Sequence, residues 1–266
     1  MSELLQTRVV TAVLGIPVVL ACVYWGGAPL FVLLSALSLL ALREFWGMLG
    51  EKGIRGEKAL AGGAAVAMVG AGVAGREGLL AGLLAMTVLL VLGVQVVRRT
   101  AYTVLDAHTT LVGLVYLGYL NAYPGLLRHL GLGPLALTLA VTWATDTAAY
   151  FTGSTVGRRK LCPDLSPGKT VEGAVGGLAG AVIVGGLGGV YLAGLSALAA
   201  VAFGLVTGLA AQVGDLAESA LKRFCGVKDA GRLLPGHGGV LDRLDSLLFS
   251  APVAYYALRL LALMGW

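Results

Sequence analysis

Nine stretches of this 266-residue chain are apolar for long enough to cross, or nearly cross, a lipid bilayer. A helix needs about 20 apolar residues to traverse roughly 30 Å of hydrocarbon. Reading apolar runs between charges gives spans near 9–25, 28–42, 59–75, 78–97, 109–127, 134–151, 173–193, 195–213 and 247–265. Composition agrees: 58% of the residues are hydrophobic, against roughly 45–50% in soluble domains. The reading is an all-α polytopic membrane protein of about nine transmembrane helices, with a polar active site facing the cytoplasm. Residues 1–133 form an N-terminal region of about five helices, and residues 134–266 a C-terminal catalytic region. The first run has no A-x-A-like cleavage signal after it, so it reads as a retained span. Gly176-Gly177 and Gly185-Gly186 suit close helix packing in lipid, and fit equally a plain bias toward Gly and Ala.

Nine spans put the two termini on opposite sides, and the basic residues test that arrangement. Of 19 Lys and Arg, only Arg76, Arg128 and Arg259 fall on one side; the rest lie with the N-terminus and the loops after spans two, four, six and eight. Such asymmetry places the basic side in the cytoplasm. The two richest polar loops, 152–172 and 214–246, then face cytosolic metabolites. Cys22, Cys162 and Cys225 are too few and too scattered for a disulfide framework or a metal site and read as unpaired thiols.

Charge is scarce, at 12% of the chain, so its gathering in 219–245 needs a reason. Each ionised group in hydrocarbon costs several kcal/mol. Asp146 sits inside span six, and an intramembrane carboxylate is a functional candidate by default. If the helix runs on past span eight, Asp215, Glu218 and Lys222 share one face; the bland alternative is a solvated Glu218–Lys222 pair. Asp242 and Asp245 share a face further on. Two acidic pairs flanking one loop can converge on a cation, and oxygen-rich, cysteine-free ligation points to Mg²⁺ rather than zinc.

Between the pairs lies PGHGG, 235–239, where glycines free the backbone for close approach to an anion. Lys222, Arg223, Lys228, Arg232 and Arg243 surround it in sequence. The other loop offers Arg158, Arg159 and Lys160, which serve equally as a topology anchor or in catalysis, and then SPGKTVEG, 166–173. This is not a P-loop, because the position five before Gly168 is Pro163. Ser166 before a proline reads as a helix cap, with Lys169, Thr170 and Glu172 in the first turn.

These residues resemble the signature of the phosphatidate cytidylyltransferases, or CDP-diacylglycerol synthases. Its S-x-x-K-R, K-D, P-G-H-G-G and D-R-x-D elements are similar, at matching spacing, to Ser219, Lys222, Arg223, Lys228, Asp229, Pro235, Gly236, His237, Gly238, Gly239, Asp242, Arg243 and Asp245. DTAAYFTG, 146–153, and SPGKTVEG also resemble family segments, although Gly168 stands where the family usually has a second Lys. The first five spans match only in hydrophobic character.

The resemblance implies that CTP and phosphatidate are converted to CDP-diacylglycerol and pyrophosphate. It implies Asp215, Asp242 and Asp146 as metal ligands. Asp215, Asp242, Asp245, Lys222, Arg223 and His237 carry the catalysis. Ser166, Lys169, Thr170, Ser219, Lys228, Asp229, Gly236, Gly238, Gly239 and Arg243 bind substrate. Mg²⁺, with a monovalent cation as an open addition, a homodimer, and a bacterial inner-membrane location belong to the same expectation, with no nucleic-acid partner. Two other readings stay open on residues alone. One is a CTP-dependent lipid-alcohol kinase, which transfers the γ-phosphoryl group. The other is an anion transporter, whose charges belong near the bilayer midplane rather than at one face.

Overall fold

The computed structural model describes residues 3–231, 233 and 238–265. Its helices are α1 (Glu3–Trp25), α2 (Gly27–Gly50), α3 (Lys58–Val73), α4 (Glu77–Val97), α5 (Val104–Leu114), α6 (Tyr123–Leu130), α7 (Leu132–Val156), α8 (Val171–Ala193), α9 (Ala197–Cys225) and α10 (Leu241–Leu263). A π-turn, Val115–Tyr119, and a 3₁₀ turn, Leu120–Ala122, join α5 to α6 into one helical stretch. Each of the nine apolar runs coincides with a helical stretch. Six stretches among the described residues are long and apolar enough to cross a membrane: Gly27–Gly50, Glu77–Val97, Val104–Leu130, Val171–Ala193, Ala197–Cys225 and Leu241–Leu263. The apolar segments Gly15–Trp25 and Lys58–Val73 are shorter, and α7 is diluted by Thr, Ser and Asp146 in its second half. This is an integral membrane protein, mostly helical.

Contacts divide the chain into two units, Met1–His129 with Phe224–Arg243, and Leu130–Arg223 with Leu244–Trp266. The segment carrying Lys228, Asp229, Asp242 and Arg243 thus belongs to the first unit, although it lies in the second half of the sequence.

In the first unit, the turns sort to two ends. At one end, Arg128 donates from Nε to Val23 O and from Nη2 to Tyr24 O, both at 2.8 Å, capping α1. Gly75, at positive φ, lies so close to the His129 ring that a side chain there would collide with it. At the other end, Arg98 pairs with Glu57 at 2.7 Å, and the Arg55 N–H donates to Asp106 Oδ1 at 2.6 Å. Asp106 also completes a capping box with Thr103 that starts α5. Between the ends, buried polar groups pair with each other, as lipid demands. Asn121 donates to Leu34 O and Ser38 Oγ, and Ser38 donates to the π-turn carbonyl of Leu117.

In the second unit, small residues set the spacing of the helices. A Cβ on Gly176 or Gly177 would strike Thr152 or Ala149 of α7, and one on Gly185 would strike Gly204 of α9. The glycine runs are therefore packing surfaces, which decides between the two readings of them. Between α7 and α8 lies an antiparallel hairpin, β1 (Lys160–Cys162) and β2 (Ser166–Thr170). Ser166 is accordingly not a helix cap, and Lys169 is not in a first helical turn. Thr170, β-branched and extended, ends the strand and accepts the Gly173 N–H at 3.0 Å, so it caps α8. Glu172 does fall in the first turn of α8, where its carboxylate accepts the backbone N–H groups of Arg158 and Arg159 and ties the α7–β1 connection to the helix.

Candidate active site

In the second unit, α9 runs unbroken to Cys225, well past the apolar run that ends near 213. A 29-residue helix is about 43 Å long at 1.5 Å per residue, which exceeds the hydrocarbon and carries its last turns into polar surroundings. Asp215, Glu218 and Lys222 therefore do share a face. Lys222 pairs with Glu218, and the Glu218 side chain is fully buried, so this is not the solvated pair of the bland alternative. A buried carboxylate one helical turn away fixes the position of the Lys222 ammonium.

The β2 strand brings a second cation to α9. Lys169 Nζ lies 2.7 Å from Asp215 Oδ1, and Arg223 Nε donates to Leu165 O at 3.0 Å. Hairpin and helix end are joined by these contacts, and the first half of SPGKTVEG and the S-x-x-K-R element come together. Ser219 is buried beside Glu218, and Thr170 is held by its cap.

On α10, Asp245 Oδ1 accepts its neighbour Ser246 N–H at 2.7 Å, while Ser246 Oγ donates to Asp146 Oδ1 at 3.2 Å. Asp215 and Asp146 lie close enough for their charges to act on Asp245. A Cβ on Gly214 would collide with the Asp245 carbonyl, so the two helices touch backbone to backbone beside these acids. Asp146, Asp215, Asp245, Lys169 and Lys222 thus form one neighbourhood.

The first unit holds a different arrangement. Asp242 Oδ2 accepts the N–H of Ala230 at 3.0 Å and of Gly239 at 2.8 Å. Gly238 adopts φ 81°, a conformation that suits glycine alone. A single carboxylate thereby ties the residues after Lys228-Asp229 to the start of α10. The Gly239 amide is directed at Asp242 rather than outward. Lys228 and Asp229 line a cavity of about 740 Å³ with Arg43, Glu44 and Glu51 of the α2 end. Gly236 and His237 lie outside the described residues, and the Arg243 side chain is exposed.

Sequence reasoning missed Glu44, whose carboxylate is buried and accepts the Leu241 N–H at 2.9 Å. An ionisable residue close behind an apolar run is a signal, but in the sequence Arg43 and Glu44 read simply as the end of span two, whereas α2 continues to Gly50.

The implied Mg²⁺ can be weighed against these donors. Carboxylate oxygens without cysteine suit a hard divalent ion. The arrangement is nevertheless that of ion pairs, with Asp215 matched by Lys169. Among the described residues, no group of three or more His, Cys, Asp or Glu is gathered to hold a metal. The three free cysteines take no part.

A polytopic membrane protein with cations and carboxylates collected at helix ends is the class that fold and site define. The model of the cytidylyltransferase family matches residues 6–261. A phosphatidate cytidylyltransferase of Synechocystis sp. (strain ATCC 27184 / PCC 6803 / Kazusa) is 34% identical over 285 residues, covering 96% of each chain. One of Staphylococcus aureus (strain COL) is 35% identical over 254 residues, covering 94% of this chain and 97% of its own. One of Staphylococcus haemolyticus is 34% identical over 255 residues, with the same coverage. This chain belongs to the cytidylyltransferase family and is a nucleotidyltransferase.

Proposed function

We propose that the protein transfers the cytidylyl group of CTP to phosphatidate, forming CDP-diacylglycerol and releasing pyrophosphate in phospholipid biosynthesis. The observation that carries this reading is the union of Lys169, Asp215, Lys222 and Asp245 at the polar end of lipid-spanning helices, in a chain whose relatives bear that name. A lipid phosphate oxygen attacks the α-phosphorus of CTP, the bond from that phosphorus to the bridging oxygen breaks, and pyrophosphate leaves. Such chemistry depends on positioning and charge neutralisation. Lys222, held by Glu218, and Lys169, held by Asp215, supply fixed positive charge where charge shifts. Thr170 and Ser166 fix the strand that carries Lys169, and Ser219 packs beside Glu218.

Mg²⁺ is the proposed cofactor; to hold it, Asp215, Asp242 and Asp146 would exchange their present partners, the Lys169 ammonium, the Ala230 and Gly239 N–H groups and the Ser246 hydroxyl, for the ion, which would then neutralise phosphate oxygens. Lys228, Asp229, Arg243 and the glycines 236 and 238 serve substrate binding, and Gly239, whose N–H is held by Asp242, contributes by shaping that backbone. His237 contacts a phosphate rather than acting as a base, because phosphatidate is already anionic.

The same reading has nine crossings in a bacterial inner membrane, the N-terminus and the site in the cytoplasm, and a homodimer. The separation of Arg76 and Arg128 from the other basic residues of the first half supports the orientation. A Gly168→Cys variant lacking the three native cysteines tests it. Impermeant reagents should label that position only from the cytoplasmic side, and labelling of intact cells would reverse the orientation. The reaction itself is tested with purified protein, phosphatidate, Mg²⁺ and CTP labelled at either end. Label from the α-phosphate should enter the lipid. Entry of γ-label with release of CDP would mean a kinase, and uptake of anion into vesicles without turnover a transporter.

A further inference from the structure

Glu44 is 9% exposed, lies on a helix 197 residues before its hydrogen-bond partner, and has no part in the motifs that define the family resemblance. A buried carboxylate carries a desolvation penalty that an apolar residue of the same size avoids. Its contacts show what that carboxylate does. Oε2 accepts the N–H of Leu241, the first residue of α10, at 2.9 Å. This is one of the donors a helix start leaves without a partner inside the helix. A Cβ built on Gly239 would lie 2.5 Å from Oε2, and one on Gly231 would collide with Oε1. Glu44 therefore touches both arms of the segment that leads from Lys228-Asp229 into α10. Asp242 joins the same two arms through Ala230 and Gly239. Oε1 has no hydrogen-bond partner among the described residues, and Glu44 also forms part of the wall of the cavity beside Lys228 and Asp229.

We propose that Glu44 is a positioning residue for cytidylyl transfer. Its carboxylate is the post against which the two arms close, and it sets the backbone that presents Lys228, Asp229 and Asp242. This rests on the reaction proposed above, and it makes a residue of the N-terminal half part of the machinery. Glycine at 231 and 239 follows from the same contact, because each passes directly over the carboxylate. Gln at 44 keeps an oxygen for the Leu241 N–H but puts an amide NH₂ in place of Oε1 against Gly231. Asp keeps the charge and withdraws it by one methylene.

The test combines kinetics with amide hydrogen exchange on the purified full-length protein. Glu44→Gln is expected to lower kcat/KM for CTP by tenfold or more. Exchange at Ala230, Gly239 and Leu241 should accelerate by a similar factor, while exchange in α7, α8 and α9 stays unchanged. Gly231→Ala should reproduce the loss in the wild-type background, and should cost less than twofold in Glu44→Asp, where the shorter acid leaves room for the methyl group. Glu44→Gln with wild-type kinetics and wild-type exchange overturns the proposal. So does a uniform rise in exchange over the whole chain, which would make Glu44 a general stability element. So does a loss from Gly231→Ala that is equal in both backgrounds. The exchange measurement needs no turnover. A wild-type protein that transfers no label therefore sinks the reaction, whereas altered exchange without it still reports on Glu44.

Discussion

The two halves of the polar machinery are built on opposite principles. Around Asp215, side chains on rigid elements carry charge: Lys169 comes from a strand, Lys222 from the last turns of a long helix, and each has its own carboxylate. Around Asp242, the chain itself is the object being held. Two carboxylates, Asp242 and Glu44, receive backbone N–H groups, and glycine stands where a side chain would not fit. The first arrangement fixes where charge sits, and the second fixes where backbone runs. Acidic residues look alike in sequence, yet Asp215 balances a cation while Asp242 ties amides together.

The sharpest way to break this contrast is to neutralise one acid of each kind. Asp215→Asn should reduce turnover by about 10²–10³-fold, the scale of losing one transition-state electrostatic contact, and leave amide exchange near wild type. Excess Mg²⁺ should rescue little. Asp242→Asn should also lose turnover, but with faster exchange at Ala230 and Gly239, because an amide is a weaker acceptor than a carboxylate. Equal exchange in the two variants would erase the distinction. Near-normal activity of Asp215→Asn at ordinary Mg²⁺ would remove Asp215 from the proposed ligands.

A somewhat smaller effect addresses the charge side alone. Lys169→Ala and Lys222→Ala should each cost about 3 kcal/mol in kcat/KM if both contact charge that develops in the transition state. Their combined loss should fall short of the sum, since both act on one phosphoryl centre. A double-mutant cycle with both substrates varied measures this. Strict additivity, with each variant raising the KM of a different substrate, would mean that the two cations serve separate sites.

Packing tests the frame that holds the charges. Gly214→Ala places a methyl group against the Asp245 carbonyl and within 3.0 Å of Phe249 Cβ. Forcing a methyl into a packed interface costs about 1–3 kcal/mol, read as a lower melting temperature in detergent. An unchanged melting temperature would show that α9 and α10 can part without cost.

Much of this was legible because polar residues are rare in the chain. The nine apolar runs locate the helices, and the charges between them locate the motif. Helix ends were not legible. A charge marks where hydrocarbon stops, whereas backbone hydrogen bonding continues, so α2 outlasts its run to Gly50 and α9 to Cys225. Glu44 was lost through that same confusion. The hairpin was missed because Ser-Pro also opens helices, and only pairing with a segment further back, Lys160 with Thr170 and Cys162 with Ser166, makes 166–170 a strand. Asp215 with Lys169 was beyond sequence reading, since nothing local joins residues 46 positions apart. The proximity of Lys222 to Glu218 was readable from helical spacing alone, but its burial was not.

The smallest expected effect concerns Gly168, where the family usually has lysine. A Cβ there meets nothing within 4 Å and the residue is exposed, so packing does not demand glycine at this position. Gly168→Lys should leave the melting temperature within about 0.5 kcal/mol of wild type on the free-energy scale, as for other exposed positions. The added ammonium sits one residue before Lys169 on the same strand, and successive side chains on a strand point to opposite faces. It therefore should not compete for Asp215. Its contribution is long-range attraction for anionic substrates, which salt screens within about 10 Å at 0.1 M. A decrease in KM of no more than a few-fold, vanishing at high salt with kcat unchanged, is the expected result. A large change in kcat would mean that position 168 reaches the reacting phosphates. The charge side of the comparison would then have a third cation that this chain lacks.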